Sequence, residues 1–71
     1  MQLIGWIGSA YQAAREAAGL TRRQVADELL ITESTLYRWE SGRGTPHEVF
    51  RRRLWEIVGE AGVHAGREER S

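Results

Sequence analysis

Leu20-Thr-Arg-Arg-Gln-Val-Ala-Asp-Glu-Leu-Leu-Ile-Thr-Glu-Ser-Thr-Leu-Tyr-Arg-Trp-Glu-Ser-Gly-Arg-Gly-Thr-Pro46 spells two short helices joined by a tight turn. Thr21 and Thr32 each stand where a hydroxyl can cap a helix. Thr21 and Gln24 have capping-box spacing, and the helix they open is expected to bury Val25, Ala26 and Leu29. Thr32 opens the next helix, which buries Leu36 and Trp39 and stops at Gly42. Only about three residues separate the two helices, too few for anything but a tight corner. The second helix has a narrow apolar side, and its broad polar side presents Glu33, Ser34, Tyr37 and Arg38. Ala26 is small where the neighbouring helix must pass close.

Outward from this corner, Ile7, Tyr11, Ala14 and Ala18 recur at helical steps and predict a helix from near Gly5 or Ile7 to Ala18, stopped by Gly19. Thr45, Pro46 and Glu48 supply a cap, a first-turn proline and a capping-box glutamate for a fourth helix. Its inward stripe is Phe50, Leu54, Ile57 and Ala61, and Gly59 or Gly62 is expected to close it. Beyond Gly62 the apolar period is lost. The expected organisation is therefore one domain over residues 1–61 and a flexible polar tail over 62–71. No strand signal or repeat stands out, so the fold class is all-α with four to five helices.

A chain of 71 residues forms one domain, and at that size only about 60% of the unfolded surface is buried. The absence of cysteine excludes disulfides and thiolate zinc sites as sources of stability. No apolar run approaches the ~20 residues that span a bilayer, and Met1 to Gly8 lacks the positive start of a secretory signal. A cytoplasmic protein without membrane attachment is expected. Net charge is zero, but the charges are unevenly placed. Leu20 to Arg53 holds arginines 22, 23, 38, 43, 51, 52 and 53 against acids 27, 28, 33, 40 and 48. From Leu54 onward the balance is two arginines against four acids. All ten basic residues are arginine, as a GC-rich genome or a need for forked donors would produce. Three consecutive arginines, Arg51 to Arg53, fan through about 200° and cannot all face one phosphate strand.

The serines have no histidine at a motif spacing and the glycines form no phosphate loop, so neither enzyme activity nor a cofactor is expected. His47 and His64 are isolated, which argues against a metal.

Taken together, Ile7-Gly8, Arg15-Glu16-Ala17-Ala18-Gly19-Leu20-Thr21, Val25-Ala26-Asp27, Leu29 and Leu36-Tyr37-Arg38-Trp39-Glu40-Ser41-Gly42-Arg43 with Pro46 resemble the phage-repressor and Cro-type (XRE-like) helix-turn-helix family. The resemblance covers roughly Ile7 to Pro46. It implies a lambda-repressor-like DNA-binding domain with a central helix-turn-helix, acting as a homodimer on a palindromic operator in a phage or bacterial setting. Transcriptional repression is the implied output.

On that reading Glu33, Ser34, Tyr37 and Arg38 are the candidate base contacts, because the start and next exposed turn of the recognition helix reach base edges. Arg22, Arg23, Thr32, Thr35 and Arg43 are the candidate phosphate contacts. The first two open a helix whose free amides already favour an anion. Arg15 and Glu40 match an ion pair that orients the recognition helix in relatives. Trp55, Val58 and Val63 are the candidate dimer surface.

Two positions depart from the family pattern. Arg22 replaces a glutamine that contacts phosphate or braces the recognition helix. Leu30 replaces a glycine in the turn, where a left-handed leucine costs about 1 to 2 kcal/mol; either the turn differs or the cost is borne. Two alternative functions stand beside repression. One is an antitoxin-type autoregulator whose C-terminal tail binds a protein partner, and the other an excision or recombination accessory factor that bends DNA.

Overall fold

The computed structural model describes the backbone of residues 5–70 and the side chains of residues 5–62. Four helices follow in order: α1 (Gly8–Ala17), α2 (Arg22–Leu29), α3 (Glu33–Glu40) and α4 (Glu48–Arg70). No strand occurs among the described residues. Each helix contributes one fully buried large side chain, namely Tyr11, Val25, Leu36 and Leu54, and Ile57 completes the core. Burying a side chain of this kind contributes about 1.5 to 3 kcal/mol. Leu20, Leu29, Ile31, Trp39 and Val58 pack around it half-buried.

Both caps of the central corner form. The Thr21 hydroxyl accepts from the Gln24 amide at 3.0 Å while the Gln24 side chain accepts from the Thr21 amide at 2.7 Å. Thr32 accepts from the Thr35 amide at 3.1 Å. These bonds satisfy donors that a helix start leaves open, and they fix where α2 and α3 begin.

The same device ends α1, α2 and α3. After α1, Leu20 and Gly19 donate their amides to the carbonyls of Arg15 and Glu16, with Gly19 at φ +78°. After α3, Arg43 and Gly42 donate to Arg38 and Trp39, with Gly42 at φ +82°. After α2, Ile31 and Leu30 donate to Ala26 and Asp27, and Leu30 takes φ 59°, ψ 39°. All three are Schellman endings, which need a left-handed residue. The turn therefore keeps its geometry, and the chain bears the strain of an L side chain at Leu30. That side chain is 93% exposed and makes up nothing by packing.

Three expectations about the flanking helices need correction. Ile7 is 60% exposed instead of facing inward; it precedes α1, and the buried residue of the first turn is Gly8. The Thr45 and Glu48 capping register does not form, because the His47 carbonyl accepts the first helical bond, from Arg51, at 3.0 Å. The His47 ring lies 3.5 Å from the Val49 amide, so α4 starts two residues later than expected. Nor does Gly59 or Gly62 close α4, which continues to Arg70. A helical glycine costs roughly 1 kcal/mol relative to alanine but ends a helix only where φ turns positive. Neither glycine does so.

Candidate nucleic-acid interface

The outward face of α3 is set by what the inward face must bury. Leu36 is fully buried and Glu40 is 3% exposed, while Trp39 packs its ring 5.7 Å from that of Phe50. With these sides committed, Glu33, Ser34, Tyr37 and Arg38 all lie exposed on one side of the helix. Thr32 and Thr35 bring their hydroxyls within 2.9 Å of each other at its start. Arg43 is exposed just past its end, and Arg23 is exposed at the first turn of α2. Neither Arg38 nor Arg43 forms an ion pair among the described residues, so both guanidinium groups are open to solvent.

Arg15 and Glu40 meet inside the molecule. The Arg15 Nε donates to Glu40 Oε2 at 2.7 Å, its second amino group donates to Oε1 at 3.2 Å, and its remaining amino group donates to the Leu20 carbonyl at 2.8 Å. The forked contact raises the Arg15 pKa above its ordinary value chiefly through the hydrogen bond to Glu40. The guanidinium therefore stays charged despite its burial. Tyr11 beside it is pushed up to about 12, first by burial and then by the Glu40 charge. Its hydroxyl donates to the Leu54 carbonyl at 3.3 Å, which links the pair to α4.

Arg22 also reaches this carboxylate. Its Nε donates to Glu40 Oε1 at 3.2 Å, and the guanidinium carbon lies 5.1 Å from the centre of the Tyr37 ring. Sequence spacing does not reveal these contacts. Trp6 supplies a second unforeseen tie, donating its indole N–H to the Trp39 carbonyl at 2.8 Å. The C-terminal turn of α3 is thus held from both sides.

The arginine run of α4 divides by face. Arg53 bridges Glu28 of α2 at 3.3 Å and Glu56 and Glu60 of its own helix at 3.4 and 3.7 Å. Arg51 and Arg52 instead line a groove of about 480 Å³ with Trp6, Ile7, Ala10 and Trp55. Trp55 is 44% exposed and meets Tyr11 edge-on at 5.1 Å. Val58 is half-buried against the core, and the Val63 side chain falls outside the described residues.

Among the described residues no group of side chains could hold a metal ion, and no helix is long and apolar enough to cross a membrane. A family model described as a helix-turn-helix domain matches residues 7–68. No curated protein and no solved structure matches the chain.

Proposed function

The chain belongs to the helix-turn-helix domain family, matched over residues 7–68, and on that premise we propose a sequence-specific DNA-binding regulator that represses transcription as a homodimer on a palindromic operator. One observation carries this reading. Glu33, Ser34, Tyr37 and Arg38 are exposed on one side of α3 while Leu36 and Glu40 on its other side are buried.

In this reading α3 lies in a major groove. Arg38 forks onto a guanine edge, Glu33 accepts from a cytosine amino group, Ser34 bonds a neighbouring base and Tyr37 packs on a thymine methyl. Arg23, Arg43 and the hydroxyls of Thr32 and Thr35 hold phosphates on either side. The amino end of α2 adds the partial positive charge of its free amides. Zero net charge does not oppose this arrangement, since Arg53 is tied to carboxylates elsewhere while Arg38 and Arg43 face outward.

Two subunits would place their α3 helices one helical turn apart, about 34 Å, on one side of the duplex. Trp55 and the groove beside it offer the apolar surface for such pairing, and occupancy of the operator would exclude polymerase. The test is selection from a random duplex library, followed by anisotropy of the selected duplex against a scrambled one across a salt series. A palindrome bound by two subunits supports the reading. Equal retention of both duplexes removes sequence specificity, and retention of neither in dilute salt removes the function.

A further inference from the structure

Arg22, at the start of α2, reaches two side chains of α3 while 31% of its own side chain stays exposed. One edge is held by the buried Glu40 carboxylate, at 3.2 Å from Nε. The carbon of the same planar group lies 5.1 Å from the centre of the Tyr37 ring, within the ~6 Å range of cation–π attraction. Glu40 is itself fixed by Arg15, so the order of support runs from Arg15 to Glu40, to Arg22, to Tyr37. Tyr37 is 46% exposed and lies on the side of α3 proposed to read bases. An exposed aromatic ring without such support samples several rotamers, and ordering it on binding consumes part of the contact energy.

We propose that Arg22 is a positioning residue for base reading: it holds the Tyr37 ring in place before DNA arrives, and does not serve as a phosphate contact. The inference rests on the DNA-reading role of α3. A phosphate contact requires only positive charge at this position, and lysine would supply it. Ring positioning requires a cation that donates to Glu40 from one nitrogen while its central carbon lies over the Tyr37 ring, and the single ammonium of lysine cannot fill both places.

The experiment uses the full chain with Arg22→Lys, Arg22→Ala, Tyr37→Ala and the Arg22→Ala/Tyr37→Ala pair. The probe is the duplex recovered from a random library by the unaltered protein, together with its single-base-pair variants. Arg22→Ala and Arg22→Lys each lower discrimination roughly two- to five-fold, the size of an exposed cation–π contact. The loss falls only at the base pairs that Tyr37→Ala also affects. The double variant is no worse than Tyr37→Ala alone, and the salt slope of Arg22→Ala is unchanged. Rescue by Arg22→Lys, a slope flattened by about one, or additive losses would overturn the assignment.

A second measurement holds even where Arg22→Ala fails to fold. In the free protein the Arg22 side-chain protons show an upfield ring-current shift by NMR, and Tyr37→Leu abolishes it. Absence of that shift overturns the positioning role. Recovery of no duplex by the unaltered protein overturns the proposed function instead, and the NMR result then shows separately whether the stacked pair exists.

Discussion

Gly8 of α1 meets Glu40 of α3 backbone to backbone: a Cβ placed on the glycine would stand 2.7 Å from the Glu40 carbonyl carbon and closer still to the carbonyl oxygens of Trp39 and Glu40. The end of α3 can approach α1 only because residue 8 has no side chain. Gly8→Ala is therefore expected to destabilise by about 1 to 3 kcal/mol, the usual cost of overpacking against atoms that cannot swing aside. Urea denaturation measures it. An unchanged midpoint would mean that the helices separate freely, and that their contact does not fix the pose of α3.

Leu30 offers the opposite change. Its left-handed backbone is strained for an L residue, and its exposed side chain contributes little packing. Leu30→Gly removes that strain, less the extra entropy glycine has in the unfolded chain. The expected net gain is about 0.5 to 1 kcal/mol, a rise of a few degrees in Tm for a domain of this size. Thermal unfolding of the two proteins decides it, and a lower Tm for the glycine variant would refute the account of the turn.

What the sequence made legible was local. Thr21 with Gln24, Thr32, Gly19 and Gly42 act within four residues of themselves, so their caps and stops could be read from spacing. The outward set on α3 was legible for the same reason, since burying Leu36 turns Tyr37 and Arg38 away. Misreadings arose where tertiary contact overrode local pattern. Ile7 looked inward by hydrophobicity, but Gly8 fills the first turn because α3 passes against it. Gly59 and Gly62 looked like stops, yet a glycine marks an end only by adopting positive φ, which composition does not encode. The partners of Arg22 lie 15 and 18 positions away on another helix, beyond the reach of periodicity.

The buried pair at the base of α3 should be far less tolerant than surface ion pairs. Arg15 and Glu40 side chains are 5% and 1% exposed, so Arg15→Ala leaves a carboxylate inside the molecule with only Arg22 to meet it. The expected loss is roughly 3 to 5 kcal/mol. Domains of this length hold only about 4 to 10 kcal/mol in total. Arg15→Ala should therefore lose a large share of its stability and melt well below the unaltered protein by circular dichroism. A fully cooperative melt near that of the unaltered protein would show that the pair is dispensable.

Alkaline pH should expose the environment of Tyr11. Its hydroxyl is pushed up to about 12 in the folded protein, while an unfolded tyrosine ionises near 10. Above pH 10 the unfolded chain gives up its proton first and binds fewer protons than the folded state, so stability falls as pH rises. The loss develops between pH 10 and about 12 and reaches roughly 2 kcal/mol. Tyr11→Phe should lose about 0.5 to 1.5 kcal/mol at neutral pH with its hydrogen bond to Leu54, but should lack this alkaline component. Denaturation midpoints of both proteins from pH 8 to 12 make the comparison, and parallel curves would contradict it.

Arg38 and Arg43 flank the end of α3 and are proposed to do different work. Arg38 projects from the helix beside Tyr37, where a guanidinium can fork onto one guanine edge; Arg43 lies exposed beyond the Gly42 stop and is proposed to meet the phosphate chain whatever the sequence. Arg38→Ala is expected to cost about 1 to 3 kcal/mol on the selected duplex and little on a scrambled one, relaxing preference at one base pair. Arg43→Ala should weaken both duplexes alike and flatten the salt slope by about one, because one fewer counterion is displaced. Anisotropy titrations between dilute and moderate salt separate the two. If the effects were exchanged, the groove would lie beyond the C-terminal end of α3, and the orientation of the domain on DNA would have to be reversed.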